Sequence, residues 1–153
     1  MKTRFNIEEI EPNAYSALIA LDTYVRKTPL DMRYKELMKI RASQINGCAF
    51  CIEMHAADAR KHGETESRIY ALSAWRESPL FSDEERALLQ LTEEVTLIAN
   101  EGLTDETYAA VLKHFDETTI AQAILQVVMI NAWNRVTVSS RITHAHQHAP
   151  AVV

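Results

Sequence analysis

Apolar residues recur along most of the chain at steps of three and four, the spacing that puts them on one side of an α-helix. From Pro12 to about Thr28 the inward set is Tyr15, Leu18, Ile19 and Val25, and Pro12 suits a helix's first turn. A second helix is predicted from Leu30 or Asp31 through Tyr34, Leu37, Met38 and Ile45, stopped by Asn46-Gly47. A third opens at Cys48 and ends near His62-Gly63, and Ile69, Leu72 and Trp75 form a short stripe closed by Ser78-Pro79. Ser82-Asp83-Glu84-Glu85 reads as a capping box opening a helix with Leu88, Leu91, Val95 and Ile98 inward. Thr104 caps the next, with Tyr108, Val111, Leu112 and Phe115 inward, and Ile120 to Arg141 is the longest and most apolar segment. The pattern predicts an all-α fold of about seven helices, one domain over residues 1–153 with 143–153 as a flexible tail.

Composition narrows the function classes. Three glycines and four prolines in 153 residues suit long helices and argue against a collagen-like, disordered or turn-rich β chain. Sixteen basic against 21 acidic residues leave a net charge of −5, with no basic stripe to neutralise phosphates, so neither nucleic acid nor an anionic membrane surface is an expected partner. Ile120 to Trp133 is interrupted by Gln122, Gln126 and Asn131 and is shorter than the roughly 20 residues of a spanning helix. After Lys2 and Arg4 comes Ile-Glu-Glu-Ile-Glu-Pro, where a signal peptide would carry its apolar run. The expected location is the cytoplasm, and there a Cys48-Ala-Phe-Cys51 pair points to redox chemistry or to a metal.

At ~100° per residue, Cys48, Cys51 and His55 fall within an arc of roughly 60° on one helix. Ile52 and Ala59 share that side, whereas Glu53, Arg60 and Lys61 lie largely opposite, so the thiols and imidazole are expected on the shielded side. The first helical turn favours a thiolate, the reactive form of cysteine. His55, one turn beyond Cys51, is placed to exchange a proton with it directly or through one water. Peroxide reduction needs a thiolate to attack the O–O bond, a proton for the leaving oxygen and a second thiol to resolve the sulfenic acid. Zinc would want four ligands; Cys48, Cys51 and His55 supply three, and His62 on the same helix is badly placed as a fourth.

The stretch Glu36-Leu-Met-Lys-Ile-Arg-Ala-Ser-Gln-Ile-Asn-Gly-Cys48-Ala-Phe-Cys51-Ile-Glu-Met-His55, continued by Arg60 and Gly63, resembles the core signature of the carboxymuconolactone decarboxylase-like proteins. It is most similar to their alkylhydroperoxidase D-type (AhpD-like) branch, and Asn131-Ala-Trp-Asn134-Arg135 resembles that family's asparagine-rich late helix. The resemblance implies an AhpD-like helical bundle assembled as a homo-oligomer, a trimer or hexamer. It also implies a hydroperoxide substrate, a lipoyl- or thioredoxin-like dithiol reductant, and no cofactor or metal. Carried over residue by residue, Glu36 polarises His55, Cys51 is the peroxidatic nucleophile and Cys48 resolves. The chain departs from the best-known peroxidases at Phe50, where they carry histidine, which keeps an electron-transfer adaptor that reduces a peroxiredoxin-type partner as an alternative. Lactone decarboxylation fits poorly, because that branch generally lacks the cysteine pair.

The remaining features have plainer readings. Glu36 without the motif would be a solvated residue beside Lys35 and Lys39, and His62 and His114 are expected at the surface. Asn131 and Asn134 should fix packing through buried hydrogen bonds, and Trp75 and Trp133 should be core or interface. His144, His146 and His148 alternate in the tail and would pick up metal only adventitiously.

Overall fold

The structure, a computed structural model, describes residues 2–142. The chain's tail with its three alternating histidines lies outside them. Among the described residues there are eight α-helices and one 3₁₀ turn: α1 Ile7–Ile10, α2 Pro12–Lys27, α3 Met32–Asn46, α4 Ala49–Lys61, α5 Glu66–Ala71 running into the turn Leu72–Ala74, α6 Asp83–Thr96, α7 Asp105–Leu112 and α8 Glu117–Ser140. The fold is all-helical, and none of these helices is long and apolar enough to cross a membrane.

Local chemistry explains where the helices begin. Asp31, Thr65, Ser82, Thr104 and Asp116 each accept a backbone N–H of the following first turn, which satisfies donors that have no partner within the helix. Ser82 and Glu85 form the reciprocal capping box that the sequence predicts. At the end of α3, Gly47 takes φ +66°, a left-handed conformation that costs a glycine little and lets the chain turn directly into α4.

The centre of the molecule is α3, which packs on α4, α6 and α8. Residues Lys35 to Ile40 are buried without interruption, so this helix is enclosed on every side rather than along one stripe. Two apolar clusters flank it. Met38 joins Leu88, Leu91, Val111, Ile120 and Val127 on one side, and Leu37 and Ile40 join Ala56, Leu72, Trp75 and Leu89 on the other. The buried charges of α3 then need partners: the Lys35 ammonium donates to the carbonyls of Arg26 and Thr28, at 2.9 and 2.7 Å.

Three expectations are corrected. The helix α1 was not anticipated; it is a four-residue turn capped by Asn6. Of the inward set of α2 only Val25 is buried, Ile19 being exposed, because the helix rests mainly on α1 and α8. The predicted stripe of α6 ends early: the helix stops at Thr96, the chain turns at Leu97, and Ile98 is exposed, as is Leu112 at the end of α7.

Candidate functional site

Cys48 is the N-cap of α4 and Cys51 lies in its first turn. The two sulfurs are joined in a disulfide, with the α-carbons 5.3 Å apart, and Cys48 Sγ also accepts the Cys51 backbone N–H at 3.3 Å. Both cysteines are buried, with Ala42 of α3, Ile130 of α8 and the ring of Phe50 packed around them. The charged side chains Glu53, Arg60 and Lys61 lie on the solvent side of α4, as the helical spacing requires.

The turn at Gly47 folds α4 back against α3, and Glu36 meets His55 across the two helices. Glu36 Oε2 lies 3.0 Å from His55 Nδ1. Its other oxygen, Oε1, accepts from the Lys39 ammonium at 2.8 Å. All three side chains are buried, at 1% exposure for Glu36, 2% for Lys39 and 6% for His55, so water contributes little screening and each partner depends on the next. Burial alone would push the Glu36 carboxyl up; the hydrogen bond from His55 and the Lys39 charge outweigh it and hold the group below its ordinary range. An ionised carboxylate only accepts, so the proton of the Glu36–His55 bond belongs to Nδ1. That leaves Nε2 as the ring nitrogen to take or give a proton.

A polar network holds the turn before Cys48 in place. The Asn46 amide donates to Asn131 Oδ1 at 3.0 Å and to Asn134 Oδ1 at 2.9 Å, Asn134 donates to Ser43 Oγ, and Asn131 donates to Thr96 Oγ1. Arg135 closes the network on Asn131. The late asparagines therefore do fix packing, and the element they fix is the α3–α4 turn that carries the cysteines. Asn134→Ala is expected to cost about 1–3 kcal/mol, since Ser43 and one Asn46 donor lose a buried partner; the urea midpoint reads it.

The structure thus joins Cys48 to Cys51 and Glu36 to His55, all four of them buried, and it adds Lys39, to which the sequence assigns no role. The visible signal for Lys39 was its spacing of three residues from Glu36, an ordinary helical ion pair. Glu36 is likewise enclosed rather than solvated. His62 and His114 are exposed, as expected. Among the described residues no three His, Cys, Asp or Glu side chains converge as a metal ion would require.

Known proteins resemble this one over most or part of its length. An Agrobacterium tumefaciens protein of unknown function, a candidate antioxidant defence protein AhpD, has the same fold with a TM-score of 0.92 and 40% identity, covering 95% of this chain and 100% of that one. The uncharacterised YdfG of Bacillus subtilis is 43% identical over 139 residues, 91% of this chain and 95% of its own. The alkyl hydroperoxide reductase AhpD of Maricaulis maris is 47% identical over 36 residues, which is 24% of this chain and 21% of that protein. The family profile of the carboxymuconolactone decarboxylases matches residues 12–94. With its AhpD-like fold and its cysteine pair, the chain belongs to the carboxymuconolactone decarboxylase family.

Proposed function

We propose that the protein is a thiol-dependent peroxidase that reduces organic hydroperoxides by cycling Cys51 and Cys48 between dithiol and disulfide. The observation that carries this reading is the buried Cys48–Cys51 disulfide on the same helix as a histidine bonded to an ionised glutamate. In the reduced protein His55 takes the Cys51 proton, and the thiolate attacks the terminal oxygen of the hydroperoxide. An S–O bond forms as the O–O bond breaks; the alkoxide leaves and takes the proton from His55, giving an alcohol and a Cys51 sulfenic acid. Cys48 then attacks that sulfur, water departs, and the disulfide forms. A lipoyl- or thioredoxin-like dithiol returns two electrons and two protons. In this scheme Glu36 orients and polarises His55, and Lys39 acts through Glu36 as a positioning residue.

Phe50 favours one second reading. Without a histidine beside Cys51 the pair would react slowly with peroxide and serve instead as an adaptor that reduces a partner's disulfide. Steady-state peroxide consumption with dithiothreitol as donor separates the two. The peroxidase reading expects turnover that saturates with hydroperoxide. Peroxide left intact, alongside rapid exchange with added disulfide, would give the site to the adaptor.

The family resemblance also carries assembly into a trimer or hexamer. The exposed apolar side chains Ile10, Ile19, Leu21 and Tyr24 of the N-terminal helices support it, being surface that a second copy would cover. Sedimentation velocity is expected to show no monomer at micromolar concentration, and a monomer there would refute the assembly.

A further inference from the structure

A cavity of about 380 Å³ is bounded by the N-terminal segment, α2, the start of α4 and the end of α8. Its apolar walls are the rings of Tyr15, Phe50 and Trp133 together with Val136 and Ile142, with Tyr15 and Trp133 edge to face at 5.6 Å. Its polar contributors include Asn6 and Thr137, and among the described residues Glu8 is the one charged side chain in the lining. The N-terminal segment is fastened over it: Arg4 donates its backbone N–H to Ser140 and its guanidinium to the Ser139 carbonyl, at 2.9 and 3.1 Å. Phe50 belongs to two places at once. It forms a wall of the cavity and packs against the cluster that holds both sulfurs.

We propose that this cavity seats the organic group of the substrate, and that it selects an uncharged aryl group. The proposal rests on the peroxidase reading above and adds its specificity. The volume falls in the range of small-molecule sites, and three aromatic walls offer a flat ring the edge-to-face and offset contacts that such rings prefer. A single carboxylate, with no cation among the described residues of the lining, opposes anionic substrates. Phe50, next to Cys51 in the chain and packed on the cluster that holds both cysteines, is the one lining side chain that links the cavity to the pair. The residue that replaces the usual histidine is then a specificity residue, and Trp133 and Tyr15 act with it.

Two measurements test this on the full-length protein. The first is calorimetric titration of the oxidised form with 2-phenyl-2-propanol, the alcohol that cumene hydroperoxide yields, and with its 4-carboxylate analogue of nearly the same shape. The alcohol is expected to bind saturably and the carboxylate at least about tenfold more weakly, with Glu8→Gln narrowing the difference. The second is the ratio of kcat/KM for cumene hydroperoxide to that for hydrogen peroxide. Trp133→Ala is expected to lower the ratio about tenfold, and Tyr15→Ala, on a half-buried ring that the fold can spare, in the same direction. No alcohol binding, or a ratio unchanged in both variants while the wild type consumes both peroxides, overturns the cavity's role and leaves the peroxidase intact. Alcohol binding by a protein that consumes neither peroxide overturns its role as a substrate site by removing the peroxidase reading beneath it.

Discussion

Glu36→Gln is expected to cost about 3–5 kcal/mol of folding stability, more than any other single change outside the apolar core. The Lys39 ammonium is 2% exposed and its carboxylate partner sits at 2.8 Å, so neutralising that partner strands a positive charge in the interior. The double variant Glu36→Gln/Lys39→Met removes both charges and should recover much of the loss, which distinguishes a stranded charge from a packing defect. The pH dependence has a definite sign. Because the folded protein holds the Glu36 carboxyl below its ordinary value near 4.5, this group's contribution is complete above that value and disappears as pH falls through the lower folded one. The stability gap between the wild type and Glu36→Gln therefore narrows on acidification below about pH 4.5, as chemical denaturation at several pH values would show. Catalysis should suffer separately. With an amide facing Nδ1, His55 loses the ionised acceptor that fixes its ring and tautomer, so peroxide turnover of the double variant stays below that of the wild type even where its fold is restored.

The second large effect falls on the sulfurs. Cys51→Ser should lower peroxide turnover by more than about a thousandfold, because a hydroxyl lacks the nucleophilicity of a thiolate. Cys48→Ser keeps the proposed nucleophile and loses the resolving thiol. Its first turnover should stop at a sulfenic acid that dimedone traps, and an external dithiol should sustain slower cycling. Trapping in Cys51→Ser instead of Cys48→Ser would exchange the two roles while preserving the reaction class.

Helical periodicity carried far where a helix has one buried side. Cys48, Cys51 and His55 lie together because offsets of three and seven leave them on one flank of α4, and the caps at Ser82 and Thr104 were legible for the same local reason. Periodicity failed on α3, which is buried all round. There Glu36 without the motif reads as solvated beside Lys35 and Lys39, yet all three are buried, Lys35 capped by backbone carbonyls and Lys39 paired with Glu36. It failed on α2 for the opposite reason: a spacing that looks inward says nothing about whether a neighbour exists within the chain. The meeting of Glu36 with His55, nineteen residues apart, depends on the turn at Gly47 and on how α3 and α4 pack. Spacing alone does not give that contact; the family motif pointed to it.

The central claim is that Cys51 and Cys48 reduce a hydroperoxide at the expense of their own oxidation. Its most direct test is the intact mass and free-thiol count of pre-reduced, metal-free protein after one equivalent of cumene hydroperoxide. Rapid loss of both thiols, with the mass of the intramolecular disulfide and one equivalent of alcohol released, is the predicted result. Both thiols surviving, with the hydroperoxide unconsumed, would contradict it.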